Sequence, residues 1–169
     1  EAKEQGLVRF LGVTGHGTYG PAMHMQSLEA YPFDSILVPY NYTMMQQPQY
    51  AHDFNALYEM CQARGVAMQT IKGIAARRWQ DGDEEKRFSW YRPITDADAM
   101  KRAIDFVLSR ENLFINTSSD ATLLERSLDA IAQPTAEVDL ALLAEDAQRL
   151  GVEALFVRDV SDDVIISAG

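Results

Sequence analysis

Four short apolar runs, each followed by a segment with helical spacing, constrain the fold of this chain most. The runs recur at intervals of about 30 to 45 residues. Near-continuous apolar strands are typical of a parallel sheet with helices outside, where both faces of each strand are covered. The strands are predicted at 8–14, 34–40, 66–71 and 113–115.

Helical spacing and helix-end signals place the helices between these strands. Pro21 suits the first position of a helix, and Gly65 and Gly151 each follow a helical segment as a stop. The helices are predicted at 21–31, 50–63, from a cap at 95–98 onward, at 121–132 and at 137–150. The core-facing residues of the last two are predicted to be Leu124, Leu128, Ile131, Leu140, Leu143, Ala147 and Leu150.

Parallel strands bring their carboxyl ends to one edge of a sheet, and ligands of such sheets bind there. This predicts that four loops meet, at 14–20, 40–47, 72–91 and 116–120. The connection 72–95 is long for a compact domain, and long connections often act as lids. Its aromatic residues favour a lid that packs on a site, and the alternative is a cover without ligand contact.

The charge balance and the cysteine content exclude several classes of function. The net charge is −10, which opposes binding to nucleic acid or to an anionic membrane. The chain has one cysteine, Cys61, predicted to be buried and inert, and its histidines are not clustered, so no metal site is expected. We find no signal peptide and no run of about 18 apolar residues. These features favour a reducing compartment, the cytoplasm.

Several motifs occur in a recognisable order. They are GLVRFLGVT at 6–14, YPFD at 31–34 leading into VPYN at 38–41, CQARGV at 61–66, and INTSS at 115–119 followed by LERSL at 124–128. As an ordered set over residues 1–132, they resemble the second half of the aldo-keto reductase family. The resemblance implies an α/β fold, the C-terminal half of a (β/α)8 TIM barrel with four βα units, strands five to eight. The half-barrel would cover residues 1–133, with a C-terminal helix and extension of the same domain at 134–169.

The resemblance also implies an activity, the reduction of a carbonyl compound by hydride transfer from NADPH or NADH. The family's catalytic Asp, Tyr, Lys and His belong to the first four strands, so no catalytic residue is assigned here. The chain alone is expected to be inactive. Its expected partners are a small-molecule carbonyl substrate and either the missing N-terminal half or a second copy.

Candidate cofactor-binding residues come from the loops at the strand ends. They are Thr14, His16, Lys72, Asn116, Thr117, Ser118 and Ser119. The 116–120 turn precedes a helix, whose free amides can bind a phosphate; the alternative is that Ser119 and Asp120 only cap that helix. The remaining histidines, His24 and His52, are expected at the surface.

This sequence departs from the family's pattern at the positions that contact the nicotinamide. The family's Ser-Asn pair corresponds to Thr14-Gly15, its glutamine to Leu37, and its stacking aromatic to Ile71. No Lys or Arg stands where the family binds a ribose 2′-phosphate, and Arg126 is the nearby candidate, so NADP and NAD both stay open.

Two further hypotheses compete with the reductase. One is a stand-alone half-barrel that binds a nucleotide without redox chemistry, and the other is a non-catalytic regulatory subunit of the same fold. The apolar runs at 152–157 and 164–166 indicate either an appended strand pair or a tail.

Overall fold

The structure is a computed structural model that describes residues 1–133, 135 and 137–162. Its strands are β1 (Gly12–Thr14), β2 (Ser35–Pro39), β3 (Ala67–Ile71), β4 (Ala75–Arg78), β5 (Tyr91–Pro93) and β6 (Leu113–Ile115). Its helices are α1 (Gly20–Ala30), α2 (Tyr42–Met45), α3 (Pro48–Arg64), α4 (Ala97–Leu108), α5 (Leu124–Ala132) and α6 (Leu140–Leu150).

Four of the strands form one parallel sheet in the order β1-β2-β3-β6. The strand-and-helix alternation and the parallel pairing expected from the sequence are therefore confirmed. The two remaining strands, β4 and β5, pair antiparallel as a hairpin within the long connection after β3. Sequence periodicity gave no sign of this hairpin, because each of its strands is too short to show a pattern.

One face of the parallel sheet is covered by helices and forms the main core. Ile36, Val38 and Met68 on this face are fully buried. They share a hydrophobic cluster with Phe54 of α3 and Val107 of α4. Burial of these side chains is the main source of stability for this face, at about 1.5–3 kcal/mol for each fully buried large apolar residue.

The opposite face of the sheet is uncovered among the described residues, whereas the apolar runs predicted strands that are covered on both faces. The register places Leu37, Gln69 and Phe114 side by side on this face. Phe114 is 56% exposed, and Leu37 and Gln69 are only half-buried. The sheet is thus buried on its helical side alone.

The first strand is also shorter and more exposed than predicted. β1 lies at an edge of the sheet and pairs only with β2, so the residues before it have no neighbouring strand among the described ranges. Leu7 is 73% exposed and Phe10 is 66% exposed, and the run 8–10 is not in the sheet. Before this run, Gly6 ends a single helical turn in the left-handed conformation.

The buried face of α5 differs from the one predicted, whereas α6 departs from its prediction only at its first turn. In α5, Ser127 and Ala130 are buried, whereas Leu124 and Leu128 are exposed, so the prediction for these two leucines was wrong. The orientation of α5 about its own axis is set by its packing on α4. Leu123, just before α5, and Ala130 pack in the same hydrophobic cluster as residues of α4. In α6, Leu143 is buried as predicted, but Leu140 at the first turn is exposed.

The C-terminal residues pack on the rest of the molecule without forming a strand. Leu155 and Phe156 are completely buried in the main core. Residues 152–157 have no strand, so they form no strand pair among the described residues, and the predicted run 164–166 lies outside those residues. Within the described ranges, no helix combines the length and the apolar character needed to cross a membrane.

The uncovered sheet face predicts self-association of the isolated chain, because exposed apolar strand faces and edges favour intermolecular contact. We expect sedimentation velocity to show concentration-dependent dimers or larger species. The double variant Phe10→Ser with Phe114→Gln should shift the distribution toward monomer, whereas Leu128→Gln, at an exposed site on α5, should not. A chain that stays monomeric at all concentrations would contradict this prediction.

Candidate functional site

The carboxyl ends of the sheet strands bring the predicted loops together. Backbone hydrogen bonds continue the ladder past the strand ends, from Gly15 N to Leu37 O at 3.1 Å and from Tyr40 N to Ile71 O at 3.0 Å. On the far strand, Asn116 N donates to Thr70 O at 2.9 Å. The loops after β1, β2, β3 and β6 therefore emerge along one edge, as the sequence predicted.

Lys72, directly after β3, occupies the middle of this edge. Its φ is 67°, a left-handed conformation that is uncommon for a residue with a side chain. The backbone is held there because Lys72 O accepts from Asn41 Nδ2 at 2.9 Å and from Ala75 N at 3.1 Å. Asn41 also caps α2, so one side chain ties the loop after β2 to the end of β3.

The ammonium of Lys72 packs between aromatic rings. Its Nζ lies 4.8 Å from the ring centroid of Trp90 and 5.0 Å from that of Tyr91, distances typical of cation–π contacts. Among the described residues it has no carboxylate within 4.0 Å and no hydrogen-bond acceptor. Burial lowers the pKa of Lys72 to about 8, so its neutral and charged forms are close in free energy near neutral pH.

His16 lies near Lys72 in the glycine-rich loop after β1. Partial burial, and secondarily the charge of Lys72, lower the pKa of His16, so its imidazole is mostly neutral at pH 7. Its ring centroid is 6.4 Å from that of Phe156. The loop needs glycine at 15 because a Cβ there would stand 2.8 Å from the ring of His24.

His24 is buried, so the prediction that it lies at the surface was wrong. Its side chain is 3% exposed and its Nε2 lies 3.0 Å from Leu37 O, under the loop of Gly15. The small residue at 15 opens the space that the ring fills. Burial lowers the pKa of His24, which favours a neutral ring that donates to the carbonyl. His52 is exposed, as predicted.

The loop after β6 is joined to the hairpin by side-chain hydrogen bonds. Tyr91 OH donates to Ser118 Oγ at 3.1 Å, and Ser119 Oγ donates to Phe88 O at 3.4 Å. Asn116 Nδ2 donates to Gln69 Oε1 at 3.4 Å, on the uncovered sheet face. Thr117 is exposed.

In the same loop, Asp120 caps the turn that follows, which was the alternative to phosphate binding there. Its carboxylate accepts from Thr122 N at 3.0 Å and from Thr122 Oγ1 at 2.5 Å, and so caps the short 3-10 turn before α5. A negative side chain at this position opposes a second anion on the same amides. The polar atoms of this loop that remain suited to a ligand are those of residues 116–119.

Residues 152–162, here named the C-terminal strap, cross the same edge. Asp162 accepts from Thr18 N at 2.6 Å and from Thr18 Oγ1 at 2.7 Å. Gly17, at φ 76°, lies against the strap, and a Cβ there would stand 2.7 Å from Asp162 O. In the middle of the strap, Arg158 pairs with Asp53 of α3 at 3.2 Å. The glycine-rich loop after β1 is therefore shaped in part by the strap.

Arg78, Trp90 and Phe156 are site residues that the sequence analysis did not name as ligand-binding candidates, although Arg78 and Trp90 belong to the 72–91 loop that it placed at this edge. The guanidinium of Arg78 lies 5.7 Å from each of the rings of Trp90 and Phe156, and its Nε donates to Leu155 O at 2.8 Å. Together these groups close the side of the site next to Lys72. The sequence signal for these residues was the aromatic content of the 72–95 connection. It predicted that the connection packs on a site, but it did not identify Lys72 and Phe156 as the residues contacted.

The groups at this edge are suited to binding an anion and to contacting a ligand's ring. It offers one half-buried ammonium, a neutral imidazole, the hydroxyl of Thr14 and the polar loop at 116–119. Cys61 lies away from these groups in α3, is fully buried, and burial raises the pKa of its thiol to about 11. Within the described ranges, no group of three or more His, Cys, Asp and Glu residues is placed to hold a metal ion.

Comparison with known proteins supports the fold. No family model matches the chain, and no curated protein matches it in sequence. Among solved structures, the chain is similar to the holo form of an aldo-keto reductase from Bacillus halodurans, with a TM-score of 0.50 and 14% identity. The similarity covers 95% of this chain and 54% of that one, so the chain spans about half the length of that structure. At this identity the similarity shows a related arrangement of parallel strands and helices.

The low pKa of Lys72 predicts an unusually reactive amine. At pH 7.5 a lysine with a pKa of about 8 holds roughly two hundredfold more neutral amine than one near 10.4, the ordinary value. Limited acylation by an activated ester, followed by peptide mapping, should therefore modify Lys72 with a midpoint near pH 8. Lys86, which is exposed, is the internal comparison. If Lys72 followed the same pH profile as Lys86, burial of its ammonium would be contradicted.

Proposed function

We propose that this chain is the cofactor-binding part of an NAD(P)H-dependent oxidoreductase of the aldo-keto reductase type. The fold similarity supports the class, and the site lies at the carboxyl edge of a parallel sheet, where α/β proteins bind ligands. The observation that carries the proposal is the Lys72 ammonium, which lacks an anionic partner among the described residues although the chain has 25 acidic residues. A dinucleotide pyrophosphate supplies the missing negative charge.

The polar loop at 116–119 extends the proposed phosphate contact on the far side of Lys72. Tyr91 links the two, because its ring contacts the Lys72 ammonium and its hydroxyl contacts Ser118. Hydroxyl and amide groups of this loop can donate to phosphate oxygens without adding charge. Since Asp120 caps the following turn, we place the phosphate on residues 116–119 and Lys72 rather than on the turn's amides.

The nicotinamide end of the cofactor is proposed to lie at the loop after β1. Thr14 is exposed at the end of β1 and can donate its hydroxyl to the carboxamide. His16 provides a neutral ring beside it. A bound reduced nicotinamide supplies the hydride for a carbonyl carbon. No residue of this chain is assigned to polarise that carbonyl. The role of this chain is therefore to bind and orient the cofactor, and the proton donor comes from the rest of the enzyme.

The proposed partner of this chain is a second set of four strand–helix units that closes a (β/α)8 barrel. Two features support this proposal: the uncovered face with Leu37 and Phe114, and the outer edges of β1 and β6, which pair with no further strand in the part of the chain that the structure describes. The matched aldo-keto reductase chain, about twice as long, also supports it. Either the same polypeptide or a second copy of this chain supplies the units.

One observation favours a second candidate function, nucleotide binding without redox chemistry. Leu37 and Ile71 stand at the sheet edge and offer neither an amide for the carboxamide nor an aromatic ring for stacking. A module of this kind would bind ADP-ribose as tightly as NAD, because it would not recognise the nicotinamide. A clear preference for NAD over ADP-ribose would exclude it.

Titration with reduced nicotinamide nucleotides tests the proposal. The chain has two tryptophans, and Trp90 touches Lys72, so binding should change the tryptophan fluorescence. Lys72→Gln removes a charge-assisted contact to phosphate, and we expect it to weaken binding by about tenfold or more. Arg9→Gln, an exposed cation before β1, is the matched control and should bind normally. Absence of binding to the unaltered chain, or equal binding by Lys72→Gln, would contradict the proposal.

A further inference from the structure

Lys72 differs from the other lysines of the chain in how its positive charge is balanced. Lys3 and Lys101 are also partly buried, but each pairs with a carboxylate, at 2.6 and 2.5 Å respectively. Lys86 is exposed, so water solvates its charge. Lys72 is half-buried, and among the described residues it has neither a carboxylate within 4.0 Å nor a hydrogen-bond acceptor. Its amine is therefore the one for which burial is least compensated.

The walls around the Lys72 amine are aromatic. Nζ lies 4.8 Å from the ring centroid of Trp90 and 5.0 Å from that of Tyr91. Such ring faces attract a cation without supplying a counter-charge. A neutral amine loses less by this burial than an ammonium does, and burial accordingly lowers the pKa of Lys72 to about 8. The site thus accommodates both a neutral amine, which is a nucleophile, and a cation formed from it.

Three groups around this amine can carry charge. The imidazole of His16 is mostly neutral at pH 7, because burial and the charge of Lys72 lower its pKa. Burial raises the pKa of Tyr91, so its phenol is protonated. The guanidinium of Arg78 lies 5.7 Å from the centroid of Trp90 and adds a positive charge beside the same ring. None of the three is an anion at neutral pH, so none of them stabilises the ammonium of Lys72.

Lys72 is also held at the edge where ligands reach a parallel sheet. It directly follows β3, and its φ of 67° is a left-handed conformation that is uncommon for a residue with a side chain. Asn41 Nδ2 donates to its carbonyl at 2.9 Å and so fixes the point from which the side chain leaves the backbone. Backbone conformations of this kind cluster at functional sites. The amine is therefore both placed and accessible.

We propose that the Lys72 amine condenses with small uncharged aldehydes and ketones that carry an apolar group, and that the chain binds them as imines while no nucleotide is bound. Nζ adds to the carbonyl carbon, and a C=N bond then replaces the C=O bond. The carbonyl oxygen leaves as water with the two hydrogens of the neutral amine, so no atom is oxidised or reduced. Water reverses the reaction.

The aromatic walls suit the product as well as the amine. When the imine takes up a proton, its positive charge lies on the same nitrogen and keeps the cation–π contacts with Trp90 and Tyr91. The apolar group of the carbonyl compound is expected to pack on the same ring faces, where it is removed from water. This favours apolar carbonyl compounds over charged ones.

The inference does not rest on the proposed function, although both involve Lys72. A pyrophosphate would stabilise the ammonium, and an ammonium is not a nucleophile. An imine, in turn, would occupy the space of the phosphate contact. The two ligands are therefore expected to exclude each other, so that a bound nucleotide protects Lys72 from condensation.

Reductive trapping with butanal and cyanoborohydride, followed by peptide mapping, tests the inference. At pH 7.5 we expect the initial rate of adduct formation at Lys72 to exceed that at Lys86 by about tenfold or more, because more of its amine is neutral. The excess should shrink toward about pH 10, where exposed amines lose their protons.

The two tryptophans of the hairpin provide matched variants. Trp90→Glu supplies the missing carboxylate next to the amine, and we expect it to slow adduct formation at Lys72 by about fivefold or more. Trp79→Glu introduces the same charge beside Arg87, whose guanidinium its ring contacts, and should leave the rate at Lys72 unchanged. Circular dichroism of both variants confirms that the fold is retained.

The outcomes distinguish the inference from the proposed function. Adduct formation at Lys72 no faster than at Lys86 at pH 7.5 would overturn the inference, and this comparison needs only the unaltered chain. Equal rates at Lys72 in Trp90→Glu and Trp79→Glu would also overturn it. Selective trapping that saturating NADPH blocks supports both proposals. Selective trapping in a chain that binds no nucleotide supports the inference and contradicts the proposed function, whereas nucleotide binding without selective trapping does the reverse.

Discussion

Parallel pairing of β1, β2, β3 and β6 is the constraint on which the rest of this structure depends. Because the four strands run in one direction, their carboxyl ends share an edge, and residues separated by more than one hundred positions meet there. The same pairing turns one face toward the helices, and among the described residues the other face has no cover. The site, the strap across it and the open face are therefore consequences of one topology.

The second organising feature is the distribution of charge. In a chain of net charge −10, most cations of the described residues are paired with acids, as Arg102 is with Asp146 and Lys101 with Asp105. Within the described ranges the Lys72 ammonium has no acidic partner, and it differs from exposed unpaired cations in being half-buried against aromatic rings, in a left-handed backbone conformation that Asn41 helps to hold. A half-buried ammonium without an anion is costly unless a ligand or deprotonation relieves it. That is why the proposed function is centred on this residue.

The sequence predicted what local patterns determine and missed what tertiary contacts determine. Apolar runs, Pro21 and Gly65 located the sheet strands and two of the helices, and the meeting of the loops followed from parallel pairing. The orientation of α5, which leaves Leu124 and Leu128 exposed, depends on its docking against α4 and is not encoded in its own periodicity. His24 is buried because Gly15 leaves room for its ring, a contact between different elements. The contacts of the strap with Thr18 and Arg78 join distant segments and leave no local signal.

Amide hydrogen exchange of the chain with and without NADPH tests the central claim most directly, because it reports the location of binding and not only its strength. The account predicts added protection in residues 14–18, 72–74 and 116–120, with little change in α5 and α6 beyond their ends. Protection confined to another surface, such as the α4–α6 side, or no protection at saturating nucleotide, would contradict a cofactor site at the carboxyl ends of the strands.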